Sequence, residues 1–197
     1  MLFEIAQIIT EQVNQYLEDS GLDKSVILEN IAILDSQSEN ADNLTDKVAL
    51  TLINFHEEAT LKNFPNHTME IDKVVYKNPI IHLNLFLLFS ANRNSYTKSL
   101  KDISRIIEFF QGKKAFTQTN TVYDRDSIAM SDIKNFKFTI ELYTPTFEEL
   151  NFIWGTLGGR QLPSALYKLS ILKVERKDSV VGEKGLITEI NGTLKKN

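Results

Sequence analysis

Three histidines, His56, His67 and His82, are the residues from which a zinc site or a neutral-pH base would have to be built. None pairs with a second histidine or a carboxylate at helical spacing, which would place two ligands on one helix face. The run from His56 to Glu58 comes nearest. Consecutive strand residues point to opposite faces, so these three side chains cannot converge on one ion. The pattern therefore favours a strand end in water.

Nucleophile and phosphate motifs are missing from the sequence. No glycine-rich loop leads into Lys-Ser or Lys-Thr, and Gly155 to Gly159 lacks the lysine and the strand-turn-helix order of a phosphate cradle. No G-x-S-x-G elbow is present, and without cysteine there is neither a thiol nucleophile nor a thiolate ligand. We predict no catalytic residue, no cofactor and no metal. Two carboxylates brought together by neighbouring strands remain an alternative.

Length and composition indicate one globular domain. The chain has 197 residues, of which 42% are hydrophobic and 24% charged. Its 26 acidic and 22 basic residues give a net charge of -4 without a long run of either sign, so nucleic acid is not an expected partner. The longest apolar run, Ile80 to Phe89, is about half the roughly 20 residues of a membrane span. We expect no membrane insertion.

Three helices follow from apolar residues at steps of three and four. The first covers Leu2 to Tyr16, and the second runs from Tyr96 to a C-terminal cap at Gly112. The third begins with a capping box, Thr146 followed by Glu149, and ends at Gly158.

The N-terminus lacks the basic segment of a secretory signal, so we expect the protein to start in the cytoplasm.

Alternating or continuous apolar runs between these helices predict strands. The predicted strands are Val26–Leu34, Val48–Phe55, Ile80–Phe89, Ala115–Thr119, Asn135–Tyr143, Pro163–Lys173 and Leu186–Ile190. Asp35 to Asp46 reads as a loop, and Phe64 to Pro79 reads as an irregular connection because prolines interrupt it. The expected fold class is α+β, with a mixed, mostly antiparallel sheet of about six strands packed with about three helices.

Three stretches of the sequence resemble a known family. They are Leu83-Asn84-Leu85 with Phe89-Ser90-Ala91-Asn92; Leu100 with Ile103-Ser104-Arg105-Ile106-Ile107-Glu108-Phe109-Phe110-Gln111-Gly112-Lys113; and Phe147-Glu148-Glu149-Leu150-Asn151 through Trp154-Gly155-Thr156-Leu157-Gly158-Gly159 to Leu162-Pro163-Ser164-Ala165-Leu166-Tyr167-Lys168. Their order and spacing are similar to the N-terminal core domain of the cap, or tail-terminator, proteins of phage-tail-like contractile injection systems. The third stretch is the most specific.

The resemblance implies a structural protein that is not an enzyme. It implies a tail-terminator core over residues 1–178. Residues 179–197 have no counterpart in the family and are interpreted as a C-terminal extension or arm, within which Gly185 to Thr193 could add a strand to a neighbouring subunit. The implied role is to close the baseplate-distal end of the inner tube and sheath as a homohexameric ring, ending polymerisation. The implied partners are the inner tube protein, the sheath protein and further copies of the chain, assembled in the cytoplasm into an injection particle.

Polar residues in the matching stretches are candidates for contacts with these partners, since polar side chains gain little from packing alone. The candidates are Lys113, Lys114, Glu148, Asn151, Arg160, Gln161 and Lys168. Both lysines also suit the negative end of the preceding helix dipole. For Trp154, Leu150 and Phe110 the apolar helical spacing favours the core. Two other functions stay open from the sequence: an enzyme acting on a small molecule, and an intracellular adaptor unrelated to tubes.

Overall fold

The computed structural model describes residues 1–36, 39–62, 67–70, 73–76, 78–123, 130, 136–174 and 180–181. Four α-helices lie in this part of the chain: α1 (Leu2–Asp19), α2 (Glu39–Asn43), α3 (Tyr96–Gly112) and α4 (Phe147–Thr156). The strands are β1 (Val26–Leu28), β2 (Lys47–Glu57), β3 (His67–Glu70), β4 (Lys73–Tyr76), β5 (Ile81–Asn92), β6 (Ala115–Thr117), β7 (Lys137–Tyr143), β8 (Ser164–Val174) and β9 (Val180–Val181).

Six of the strands form one sheet in the order β1-β2-β5-β8-β7-β6. Only the β1–β2 pair is parallel. The two central strands, β5 and β8, pair antiparallel from Ile81 opposite Val174 to Ser90 opposite Ser164. A separate three-stranded sheet has the order β3-β4-β9. The predicted α+β class, with a mostly antiparallel sheet of about six strands, is confirmed.

The first face of the sheet is covered by α1 and α3. Odd-numbered residues of β5 and β8, such as Phe89 and Tyr167, point into this side, as the two-residue period of a strand requires. They meet the buried stripes of the two helices, in which Ile9 and Ile106 are fully buried. The Phe110 ring lies 4.6 Å from that of Tyr167, which locks α3 onto β8.

The second face is covered by α4 and by the segment around residues 31–44. Leu88 and Leu166, the even-numbered neighbours of the first-face residues, pack with Trp154 in a separate cluster. Ile31 and Leu44 form a further cluster beside it. Because both faces of β5 are buried or half-buried over Leu85 to Phe89, that part of the strand reads as a continuous apolar run in the sequence.

A buried ion pair ties α3 to the end of β5. The Nε atom of Arg93 lies 3.1 Å from Oδ2 of Asp102, and both side chains are almost completely buried. The Ser25 hydroxyl donates a hydrogen bond to the same carboxylate oxygen at 3.1 Å. Burial raises the pKa of Asp102 more than the Arg93 charge and the Ser25 hydrogen bond lower it.

Several predicted boundaries are wrong. The strand predicted for Val26–Leu34 stops at Leu28, because the Asn30 side chain accepts a hydrogen bond from the Ala32 N–H and starts a short 3-10 turn. The predicted loop 35–46 contains α2, and the connection predicted to be irregular contains β3 and β4, which form a hairpin. Helix α3 includes Gly112 instead of ending before it. The predicted strand Leu186–Ile190 lies outside the described residues.

The capping box of α4 gives the first testable prediction. The Thr146 hydroxyl accepts from the Glu149 N–H at 3.2 Å, and the Glu149 carboxylate accepts from the Thr146 N–H at 2.8 Å. Thr146→Ala should lower the free energy of unfolding by about 1 kcal/mol in urea titrations, since the Glu149 N–H in the first turn loses its positioned acceptor. Thr144→Ala, two residues earlier, should change it by less than about 0.5 kcal/mol. Equal losses would contradict a capping role.

Candidate assembly surface

The outward side of α4 carries both polar and aromatic side chains. Glu148 and Asn151, predicted as contact residues, are exposed there. Two phenylalanines are exposed beside them: the Phe147 residue is 91% exposed and Phe152 is 64% exposed. The capping box fixes the start of the helix, and Trp154, only 4% exposed, anchors it to the sheet. A rigid helix therefore presents apolar rings to solvent, which is typical of a protein contact surface.

The loop after α4 carries two more predicted contact residues, Arg160 and Gln161. Gly158 and Gly159 have φ angles of 106° and 80°, in the left-handed region that glycine tolerates. The Gly159 N–H donates to the Trp154 carbonyl at 2.7 Å and closes the helix. Arg160 follows in solvent, with its guanidinium 3.4 Å from the exposed carboxylate of Asp35. An exposed pair of this kind adds little stability, so Arg160 remains available to a partner.

Two adjoining grooves run beside the open side of β7, and we call them together the β7 groove. The larger, about 560 Å³, is lined by Tyr96, Ile107, Leu142, Pro145, Leu150 and Gln161 among others. The smaller, about 470 Å³, shares Ile107 and Leu142 and also includes Lys114 and Tyr167. Gln161 and Lys114, both predicted contact residues, thus border the same groove. Its lining is mainly apolar, as in a docking surface for a protein segment.

Tyr167 brings an unused polar group to this groove. Its side chain is 1% exposed, and its hydroxyl has no hydrogen-bond partner in the part of the chain that the structure describes. Burial raises the pKa of Tyr167, so the hydroxyl stays protonated and keeps its donor. A buried hydroxyl without a hydrogen-bond partner lowers the stability of the fold, and this hydroxyl is closed to solvent beneath the groove.

Lys113 differs from its neighbour Lys114, although both are predicted contact residues. The Lys113 ammonium donates to Oε1 of Gln12 at 2.7 Å and to the Asn120 carbonyl at 3.1 Å. It also lies 4.8 Å above the Phe116 ring. Burial lowers the pKa of Lys113. This lysine holds α1, α3 and the turn after β6 together, whereas Lys114 is exposed.

Lys168, the remaining candidate, lies on the second face of the sheet. It pairs across the strands with Glu141 of β7 and Phe86 of β5. Its positive charge also helps to lower the pKa of the Glu58 carboxylate, although it is the smallest of the causes of that shift. The candidates therefore divide between the α4 side (Glu148, Asn151, Arg160, Gln161), the end of α3 (Lys113, Lys114) and the second face (Lys168).

Glu58, which the sequence placed at a strand end in water, makes contacts that the sequence did not predict. Its carboxylate accepts from the Thr60 hydroxyl at 2.7 Å and from the amide nitrogen of Asn84 at 2.8 Å. These hydrogen bonds, that of Thr60 first, lower the pKa of Glu58 from 4.5 to about 2. The sequence contained one signal for this contact: Asn84 is a polar residue within an apolar strand, and a buried amide requires a polar partner.

The sequence matches the family described as the Pvc16 N-terminal domain over residues 4–185. The chain belongs to the Pvc16 N-terminal domain family. The predicted resemblance to cap and terminator proteins is thereby confirmed. A search of curated proteins finds no match.

Two solved structures share the fold of this Pvc16 N-terminal domain. One is the "PVC sheath/tube terminator in extended state" of an extracellular contractile injection system, with a TM-score of 0.59 and 12% identity; the match covers 100% of this chain and 64% of that one. The other is the anti-feeding prophage cap, described as the "AFP tube terminating cap", with a TM-score of 0.53 and 13% identity, covering 93% and 59%.

The comparisons confirm the tail-terminator-like fold. The chain spans somewhat less than two thirds of the two structures it matches. At 12% and 13% identity the likeness concerns the path of the backbone, so it does not transfer contact residues one by one. Within the described residues of this Pvc16 N-terminal domain, no helix is long and apolar enough to cross a bilayer.

The Glu58 carboxylate gives a pH-dependent prediction. A carboxyl group whose pKa is lowered on folding stabilises the folded state above its unfolded pKa and loses that contribution as the pH falls towards its folded pKa. The stability advantage of the native protein over Glu58→Gln should therefore be constant above about pH 5.5, and it should shrink between pH 4.5 and about 2.

Chemical denaturation across this pH range measures the difference. Asn84→Ala supplies an independent check, because removing the amide donor should raise the pKa of Glu58 in an NMR titration. A constant difference between native protein and Glu58→Gln down to pH 2 would show that the carboxylate is not held in this way.

Proposed function

We propose that this protein is a structural cap, or tail terminator, of a contractile injection system. It closes the baseplate-distal end of the inner tube and sheath, ends polymerisation and links tube to sheath. The observation that carries the proposal is the match to the Pvc16 N-terminal domain over residues 4–185, supported by likeness to a sheath/tube terminator and a tube-terminating cap. Its partners are the inner tube protein, the sheath protein and further copies of itself in a homohexamer.

A cap of this kind has to meet a rotationally symmetric tube with one surface while offering no equivalent surface to the next layer. The α4 surface, formed by Phe147, Glu148, Asn151 and Phe152, suits the first task because it combines rigid apolar rings with polar groups. The β7 groove offers a second apolar surface. Arg160, Gln161 and Lys114 lie at the margins of these surfaces, where charge sets orientation.

The role requires no catalytic group, cofactor or metal, and we propose that the protein is not an enzyme. The larger groove contains no ionisable acid or base other than the phenols of Tyr96 and Tyr143; its remaining polar members are Thr144, Gln161 and Ser164. We further propose that residues 1–178 form the core and 179–197 an extension. The chain assembles in the cytoplasm and becomes part of an injection particle that is released or membrane-anchored.

Tube capping provides the direct test. Purified protein added to polymerising inner tube protein should bind tube ends and shorten the length distribution in negative-stain images, because each bound end stops accepting subunits. In the producing cell, deletion of the gene should give tails of uncontrolled or unstable length. Particles of normal length that contract fully in the deletion strain would refute the proposal.

Phe147 provides a surface-specific test. Because the side chain is 91% exposed, Phe147→Ser should change the free energy of unfolding by no more than about 0.5 kcal/mol. If α4 contacts the tube or sheath, the same variant should weaken capping at least tenfold in a titration against tube protein. Val122→Ser is the matched control, since Val122 is also 85% exposed but lies on the loop after β6. Equal capping by the native protein, Phe147→Ser and Val122→Ser would show that Phe147 on α4 does not contribute to the contact.

A further inference from the structure

The outer side of α4 carries one aromatic side chain flanked by two carboxylates. Phe152 lies two residues before the buried Trp154, which places it about 160° away around the helix, and it is 64% exposed. Glu148 and Glu149 precede Phe152 by four and three residues, so they lie on either side of it one turn earlier. No lysine or arginine occurs from Phe147 to Gly159. This surface is therefore both apolar and acidic.

A groove on the other side of the sheet has the complementary chemistry. It measures about 510 Å³ and lies between the end of α1 and the first half of α3. Leu22 and Leu100 supply its apolar lining, and Lys101 and Arg105 supply two cations. Glu108 also borders it, but the Glu108 carboxylate is paired with Arg105 at 2.5 Å. Its remaining members carry hydroxyl groups: Ser20, Thr97 and Ser104. The groove thus joins apolar side chains to an excess of positive charge.

These two features belong to opposite faces of the sheet. Helices α1 and α3 cover the first face, and α4 covers the second. Phe152 points away from the sheet on one side, whereas the groove opens on the outer surface of α1 and α3 on the other. They therefore cannot meet within one molecule. A contact between them joins two copies through two different surfaces, which is the heterologous geometry that a ring of copies requires.

The spacing of the side chains sets the direction of such a contact. On α3 the cations follow Leu100 in the sequence, whereas on α4 the carboxylates precede Phe152. Phe152 can meet Leu100 while the opposite charges also meet only if the two helices run antiparallel. Glu148 is four positions from Phe152, and Arg105 is five from Leu100. These separations correspond to about 6 Å and about 7.5 Å along the helix axes, so the two patterns match.

We propose that Phe152 of one copy enters the groove between α1 and α3 of a second copy. Glu148 and Glu149 then lie beside the two cations of that groove, and the opposite charges fix the orientation of the helices. The cations also lie close enough to the phenyl ring to contact its face. The inference rests on the proposed cap function, in which copies form a ring, and it names the helices that join them.

The start of α4 stays available to the tube and sheath in this arrangement. Phe147 lies five residues before Phe152, which is about 140° away around the helix. The two phenyl groups therefore face different sides of α4. A change at Phe147 should leave the contact between copies intact, which makes it the matched control for a change at Phe152.

Two single-cysteine proteins test the contact, because the native chain contains no cysteine. In the antiparallel register Thr156, one turn after Phe152, lies beside Thr97 of the second copy. Thr97→Cys and a tagged Thr156→Cys protein, mixed and oxidised with and without inner tubes, should form a disulfide-linked heterodimer. Ser104→Cys, in the same groove, is the control for Thr97→Cys. It should give at least ten times less heterodimer, since it lies about 10 Å further along α3 and a disulfide requires Cα atoms within about 7 Å.

Further substitutions in the cysteine proteins provide the second measurement. Phe152→Ser should reduce the yield of heterodimer at least tenfold, whereas Phe147→Ser should leave it unchanged. Glu148→Lys should reduce the yield at least threefold, and Lys101→Glu in the other protein should restore it, because the pair of opposite charges is then re-formed in reverse.

The outcomes separate this contact from the cap function. A yield no higher than with Ser104→Cys, or equal losses from Phe152→Ser and Phe147→Ser, would overturn the contact. Loss of tube capping in Phe152→Ser without heterodimer between copies would assign Phe152 to the tube or sheath instead. If the native protein caps tubes while the cysteine pair fails, the cap function stands and only this contact is lost. Heterodimer from a protein that does not cap tubes would keep the contact and refute the cap function.

Discussion

The pairing of β5 with β8 at the centre of the sheet is the interaction on which the rest of the structure depends. Each strand presents apolar side chains to both faces, and neither face can be left in water. Helices α1 and α3 cover one face, and α4 with the 31–44 segment covers the other. In the part of the chain that the structure describes, both faces of the sheet are therefore occupied, and a contact that uses strand backbone hydrogen bonds has to occur at an edge.

Double coverage also explains why α4 can act as a rigid contact surface. Trp154 and Leu150 face the sheet, the capping box fixes the first turn, and two left-handed glycines end the helix. The phenylalanines on the opposite side gain nothing from this packing and remain exposed. Large exposed apolar groups promote aggregation, so in soluble proteins they commonly mark surfaces that a partner covers.

The likeness to the two solved terminator structures, at 12% and 13% identity, shows how little of the sequence the fold requires. Cores tolerate extensive hydrophobic substitution when volume and patterning are kept. Side chains on a contact surface are constrained differently, because they must fit the surface of a particular partner. The fold is therefore shared with these two structures, whereas the contact residues have to be established for this chain itself.

The sequence by itself determined the elements with strong local signals. The apolar period of α3, the capping box of α4 and the alternation of β7 depend on neighbours a few residues apart, so they can be read directly. The hairpin of β3 and β4 was missed, because the prolines on either side of it, Pro65 and Pro79, favoured an irregular connection. Val26–Leu34 was misread for a related reason: a side-chain hydrogen bond ended a strand whose composition favoured continuation.

The candidate contacts show the same division. The sequence indicated polar residues in the matching stretches, yet it could not separate Lys113, which is bound within the domain, from Lys114, which is exposed. Nor could it show that the Asn14 side chain occupies the backbone N–H and C=O of Val26 at the edge of β1. Exposure and edge coverage arise only when distant segments pack, because they depend on which neighbour arrives at each surface. Local chemistry set the elements, and tertiary packing decided which of their surfaces stay exposed.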